Sequence, residues 1–182
     1  MTDQTEHTIL EAAFATLANQ PTATLAEIAN AAGIGRATLH RHFSGRDDLL
    51  QAMALKASKE LDVAIDAATA DAESYTAALR LCLEAIIPLA DRQHFLAGEQ
   101  LDRFPTVAAV YARQNAELVA AIDAAKGEGS FDPHLPTEWI AAAYDTVIYT
   151  AWHMVRRQDA TPRQAAGFAW RLLQSGLSKG NP

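Results

Sequence analysis

One stretch of twenty residues near the start of the chain, TLAEIANAAGIGRATLHRHF, constrains the fold more than any other part of the sequence. It opens on Thr24 with Glu27 three residues later, which is the capping-box spacing that starts a helix. Gly33 follows where that helix should end, because glycine readily takes the positive φ of a helix C-terminus. Leu39 and Phe43, four residues apart, give the next segment one apolar side. The pattern predicts two short helices joined by a tight turn and packed across each other.

Apolar residues recur at helical spacing along the remainder of the chain, and no stretch alternates as a half-buried strand would. A first helix should stop at Pro21, a third should run from Arg36 to about His42, and a longer one should begin near Asp47. Pro88 should kink or end the first of four more helices, which are expected at about 75–93, 105–126, 137–157 and 162–178. The predicted fold class is therefore all-α.

A change in composition divides the chain into two parts. Between Ala70 and Ser74 the sequence is acidic and has no large apolar residue, so we expect a domain boundary there. Residues 1–70 should form an N-terminal three-helix domain with the helix-turn-helix at about 24–43. Residues 71–182 should form a larger helical domain.

The distribution of charge favours a nucleic-acid partner, although the negative net charge alone would argue against one. The chain carries a net charge of −7, whereas phosphate contacts need Lys and Arg. From Gly33 to Arg46, however, it has three arginines, two histidines and no acid. Such a compact positive segment in an acidic protein is typical of a DNA-binding surface. An ordinary solvated face on a purely structural three-helix unit is the alternative.

The outward side of the second helix of the motif supplies the candidate DNA contacts. Helix-turn-helix proteins place the N-terminal residues of this helix against base edges in the major groove. Arg36 can reach guanine in bidentate fashion, and the methyl groups of Ala37 or Thr38 can touch thymine. Residues that flank the helix would bind phosphates and fix the register. The full candidate set is Thr24, Gly35, Arg36, Ala37, Thr38, His40, His42 and Arg46.

The longer segment TLAEIANAAGIGRATLHRHFSGRDDLL resembles the helix-turn-helix signature of TetR-type transcriptional regulators, and the resemblance covers about residues 5–65. The matching positions are Thr24, Ile28-Ala29, Ala32-Gly33-Ile34, Thr38-Leu39, His42-Phe43, Arg46 and Leu49-Leu50. Two positions depart from the family pattern. His40 stands where the family usually has a Tyr that contacts the DNA backbone, and Gly35 stands where Ser or Thr often caps the helix.

The resemblance implies a function and a second domain. It implies a ligand-responsive regulator, a repressor rather than an activator, that binds a palindromic operator in double-stranded DNA as a homodimer. A small-molecule effector bound in a helical effector-binding and dimerisation domain would release the operator.

The last two predicted helices carry wide apolar stripes whose aromatic residues could anchor such a dimer. An antiparallel pair of helices that meets its twin would form a four-helix bundle around a two-fold axis. The candidate interface residues are Tyr144, Ile148, Trp152, Phe168, Leu172 and Leu173. The alternative is that these stripes pack only on their own chain.

An effector pocket is expected near the kink at Pro88, beside a mixed polar and aromatic segment. The candidate lining residues are His94, Phe95, Phe104, Tyr111, Tyr149 and His153. Ligand pockets are mostly apolar with a few placed polar groups, so the expected effector is hydrophobic or amphipathic. Each of these residues could instead be an ordinary core or surface residue.

Other classes of function find little support. The histidines show no ligand spacing with Cys82, and no phosphate-binding glycine loop or nucleophile motif is present, so we expect no metal, no cofactor and no enzymatic activity. The lone cysteine, the polar N-terminus and the lack of a 20-residue apolar run predict a cytoplasmic protein without a membrane segment. The remaining alternative is a helical small-molecule carrier or small enzyme whose first three helices are only structural.

Overall fold

The structure is a computed structural model that describes residues 2–90, 93, 96 and 99–177. Across these residues the chain forms α-helices and short 3₁₀ turns without any β-strand, which confirms the all-α prediction. The α-helices are α1 (Thr2–Asn19), α2 (Leu25–Ala31), α3 (Arg36–His42), α4 (Arg46–Thr69), α5 (Tyr75–Ile86), α6 (Pro105–Gly127), α7 (Thr137–Arg156) and α8 (Pro162–Leu177).

The chain forms two compact units whose limits differ from the predicted domains. The first unit comprises Met1–Lys59 and Asp91–Ala108, and the second comprises Glu60–Ala90 and Ala109–Pro182. The second unit thus begins within α4, because Leu61 and Ile65 already pack against its core. The acidic stretch from Ala70 to Ser74 joins α4 to α5 inside this unit.

The first unit buries one apolar side of each of its first four helices. One apolar side of α1 is buried, and so are the inward sides of α2, α3 and the start of α4. These core residues are Ile9, Leu10, Ala13, Phe14, Leu17, Ile28, Ala29, Leu39, Phe43, Leu49, Leu50 and Met53. The small side chain of Ala29 lies at 1% exposure, which allows close packing around α2.

The ends of α2 form as the sequence predicts. The Thr24 backbone N–H donates to a Glu27 carboxylate oxygen at 2.7 Å, and the Glu27 N–H donates to the Thr24 hydroxyl at 3.3 Å. At the other end Gly33 has a φ of +68°. The Ile34 N–H donates to the Ala29 carbonyl at 3.0 Å and the Gly33 N–H donates to the Asn30 carbonyl at 3.0 Å, which is a Schellman ending.

In the second unit, the end of α5 confirms the effect expected of Pro88. The helix stops at Ile86, and Ile87–Leu89 continue as a 3₁₀ turn. The Trp152 indole N–H donates to the Ile86 carbonyl at 3.1 Å, and the buried Tyr144 hydroxyl donates to the Leu79 carbonyl at 2.6 Å. Side chains of α7 therefore bind backbone carbonyls of α5 and fix the packing of the two helices.

Candidate nucleic-acid interface

Helix α3 is held by its apolar underside and presents its other side to solvent. Leu39 is 0% exposed and Phe43 is 3% exposed, because both pack into the core of the first unit. Arg36, Ala37 and His40 are exposed, with Arg36 as the first residue of the helix. The predicted outward side of the helix is the side that the structure exposes.

Two hydrogen bonds organise the polar side chains of α3. The Arg36 Nε–H donates to the His40 Nε2 at 3.5 Å, and an Arg41 Nη2–H donates to the Thr38 hydroxyl at 3.0 Å. Thr38 is half-buried, whereas Arg41 is exposed. Arg41 belongs to the cationic segment between Gly33 and Arg46, although it is not among the candidate contacts.

The residues that flank α3 differ in their exposure and in the contacts that they make within their own chain. Thr24 is exposed, but its hydroxyl donates to a Glu27 carboxylate oxygen at 2.8 Å. Hydrogen bonds from the Thr24 backbone N–H, and then from its hydroxyl, hold the pKa of Glu27 below its usual range. Gly35 is the exposed N-cap of α3. His42 is half-buried, and its ring centroid lies 6.5 Å from that of Phe43.

Arg46 contacts the backbone of its own chain. It is the first residue of α4 and is half-buried. One guanidinium nitrogen, Nη1, donates to the Ala23 carbonyl at 2.8 Å, and the other, Nη2, donates to the Pro21 carbonyl at 2.6 Å. No local sequence pattern predicts this contact, since the partners are backbone atoms more than twenty residues away.

The structure describes four of the six predicted pocket residues. His94 and Phe95 lie outside the described residues. Phe104 belongs to the first unit and lies under the Arg103 guanidinium, whereas Tyr111 is half-buried in the second unit. Tyr149 is 46% exposed, and His153, four residues on, is also exposed. The role of Tyr149 and His153 in an effector pocket stays a prediction.

The predicted dimer residues fall into two groups. Tyr144, Ile148 and Leu173 are buried in the core of their own unit, and Trp152 packs against that core. These side chains contact their own chain, and their role at a dimer surface stays a prediction. The other two predicted residues are exposed on α8: Phe168 at 48% and Leu172 at 62%.

Within the part of the chain that the structure describes, no three His, Cys, Asp or Glu side chains come together as a metal site would require. No described helix is long and apolar enough to cross a membrane. Cys82 is half-buried in the second unit, and burial raises the pKa of its thiol to about 11. A thiol with such a pKa is a poor nucleophile at neutral pH.

The helical fold and the exposed cationic α3 define a helix-turn-helix regulator of transcription. Residues 9–53 match the family described as bacterial regulatory proteins of the tetR family. The HTH-type transcriptional repressor LfrR of Mycolicibacterium smegmatis is 31% identical over 177 residues, which cover 96% of this chain and 91% of that relative. The chain belongs to the TetR family, whose members are transcription factors and not enzymes. The predicted family resemblance is confirmed.

Solved structures support the same assignment along the whole chain. The structure of LfrR from Mycobacterium smegmatis in complex with proflavine matches with a TM-score of 0.82 and 27% identity, covering 98% of each chain. A TetR family regulator from Marinobacter aquaeolei VT8 matches with a TM-score of 0.79, covering 98% of this chain and 97% of the other. Its identity of 17% makes it evidence of shared fold alone.

Proposed function

We propose that this chain is a ligand-responsive repressor that binds a palindromic operator in double-stranded DNA as a homodimer and is released by a small-molecule effector. The observation that carries the proposal is the orientation of helix α3: Leu39 and the C-cap residue Phe43 are buried, while Arg36 and Arg41 are exposed. A helix held in this way offers donors to a major groove without exposing its apolar side. The relative that is 31% identical is itself a transcriptional repressor.

The exposed residues of α3 suggest a division of roles at the DNA. Arg36, in the first turn, would reach a guanine edge, and Ala37 would touch a thymine methyl group. Thr38, whose hydroxyl accepts a hydrogen bond from Arg41, would contribute its methyl group as well. The remaining proposed contacts would fix the register on the phosphates: Thr24, the Gly35 N–H, His40, His42 and Arg46.

The surface of the second unit supports dimer formation. Helices α7 and α8 expose large apolar side chains: Trp139 at 63%, Tyr149 at 46%, Phe168 at 48% and Leu172 at 62%. Several such residues on two adjacent helices mark an interaction surface, because their burial in a symmetric contact would be favourable. We propose this α7–α8 surface as the homodimer interface. Two copies would then read half-sites about 34–36 Å apart, or in a related spacing.

A small planar aromatic molecule is the first effector to test. LfrR, the relative mentioned above, has been crystallised with proflavine. Proflavine fits the expectation of an amphipathic effector for this chain, and the second unit would hold it. An effector can release DNA only if it binds the DNA-free state more tightly than the DNA-bound state. Proflavine should therefore weaken operator binding if it is an effector of this chain.

Fluorescence anisotropy with the DNA upstream of the protein's own gene tests the proposal. The wild type should bind one palindrome more tightly than scrambled DNA, and Arg36→Ala should lose roughly 1–3 kcal/mol of that preference at one base pair. Arg80→Ala is the matched control, since Arg80 is an exposed arginine of α5 that pairs with Glu84. Absence of binding to any palindrome at low salt would favour a helical carrier instead.

A further inference from the structure

The turn before α2 is held from two sides. From α2, a Glu27 carboxylate oxygen accepts the Thr24 N–H at 2.7 Å, and the other accepts a Gln20 side-chain N–H at 3.3 Å. From the start of α4, the Arg46 guanidinium donates to the carbonyls of Pro21 and Ala23. The turn therefore lies between a carboxylate and a guanidinium that belong to different helices.

This turn leads directly into one of the phosphate contacts proposed above. Ala23 is 0% exposed, and the next residue, Thr24, is the N-cap of α2. Thr24 and Arg46, the first residue of α4, are both among those proposed phosphate contacts. Anything that fixes the distance between these two residues fixes the spacing of two phosphate contacts on either side of α3.

We propose that Arg46 is a positioning residue for DNA binding, whose guanidinium ties the N-terminus of α4 to the turn before α2. The proposal rests on the DNA-binding function proposed above. A guanidinium has five N–H donors, and two of them make the observed bonds. The same side chain thus retains donors for a phosphate while it holds the turn.

Arginine suits this role better than lysine. Its two terminal nitrogens are spread in a rigid planar fork, and here each contacts a different carbonyl. A lysine ammonium is a single point of charge on a flexible stem, so it would preserve the charge without the two-point bridge. Arg46→Lys therefore separates the bridging role from the phosphate role, and Arg46→Gln removes the charge as well.

Hydrogen–deuterium exchange of the full-length protein without DNA tests the bridge. In both Arg46→Lys and Arg46→Gln, the amides of residues 20 and 22–25 should exchange about tenfold faster, the factor that corresponds to a loss of ~1.4 kcal/mol. Peptides from α1 and α3 should keep their wild-type rates. Arg80→Lys, which alters an exposed arginine of the second unit, should leave every rate in the first unit unchanged.

DNA affinity measured at several salt concentrations tests the role of Arg46 in DNA binding. Arg46→Lys should bind about tenfold more weakly with the wild-type salt slope, because the number of charges at the DNA is unchanged. Arg46→Gln should bind more weakly still, with a slope reduced by about one.

Two outcomes would overturn the proposal, and a third would overturn the DNA-binding function on which it rests. Wild-type exchange and wild-type affinity in Arg46→Lys would make Arg46 a plain phosphate contact. Faster exchange throughout the first unit, with a lower Tm, would make it a general support of the fold. A wild-type protein that binds no DNA, with the expected exchange rates, would overturn the DNA-binding function while the bridge itself stands.

Discussion

At the scale of single residues, Gly33 is the position where the backbone demands one residue type. Its φ of +68° ends α2, and an added Cβ would meet no neighbouring atom within 4 Å. The constraint is therefore one of backbone conformation and not of space. Only glycine takes this conformation without a penalty, since other L-residues lose about 1–2 kcal/mol in the left-handed region.

Gly33→Ala should therefore destabilise the protein by about 1 kcal/mol, because the Cβ is unfavourable at positive φ. Chemical denaturation followed by circular dichroism measures the change. Gly127→Ala is the matched control, since its φ lies outside the left-handed range and its Cβ would also meet nothing. An equal loss in both variants would mean that the conformation of Gly33 contributes nothing particular.

The sequence predicts helix-capping residues well, because the groups that form each cap lie close together along the chain. The capping pair Thr24 and Glu27 and the ending at Gly33 each depend on spacings of a few residues, and the structure confirms both. Arg46 was predicted only as a phosphate contact. Its bond to the Pro21 carbonyl spans 25 residues and depends on how α1, α2 and α4 pack, which no local pattern encodes.

At the scale of elements, the N-terminus of α5 is capped by a residue from the end of α6. The Glu128 carboxylate accepts the Tyr75 N–H at 2.8 Å and the Thr76 N–H at 2.9 Å. The Thr76 side-chain hydrogen bond, followed by the two backbone N–H groups, holds the pKa of Glu128 below its usual range. An ionised Glu128 therefore stabilises the second unit by joining the start of one helix to the end of another.

This lowered pKa predicts how stability depends on pH. A carboxylate with a depressed pKa contributes stability at neutral pH, and the contribution is lost as the pH falls through that pKa, below about 4.3. Glu128→Gln should lower the Tm at pH 7, and its difference from the wild type should shrink at about pH 3. Asp66→Asn, at an exposed carboxylate of α4, is the control. A Tm difference that stays constant with pH would contradict the capping role.

Helix α7 shows why element positions could be predicted while the orientation of their faces could not. The expected span of 137–157 agrees with the observed Thr137–Arg156. Its apolar residues, however, occupy two sides, and the pattern does not reveal which side meets its own chain. Tyr144 is 2% exposed and Tyr149 is 46% exposed, so these two candidate site residues lie on different sides of the helix.

At the scale of the whole molecule, the proposed dimer makes a prediction about assembly. Leu172→Glu places a charge in the proposed α7–α8 interface and should weaken dimerisation at least about tenfold, because a charge buried without a partner is costly. Light scattering coupled to size exclusion measures the mass. Val63→Glu is the matched control, since Val63 is 60% exposed on α4 and Leu172 is 62% exposed. A Leu172→Glu protein with the wild-type mass would place the dimer contact elsewhere.

The central claim is that helix α3 enters the major groove with Arg36 at a guanine edge. Dimethyl sulfate tests it most directly, because this reagent methylates guanine N7, which lies in the major groove. The account predicts that the wild type protects guanines in both half-sites. Arg36→Ala should leave these guanines reactive at protein concentrations at which the variant still binds the operator. Tight operator binding that leaves every guanine N7 reactive would contradict the account.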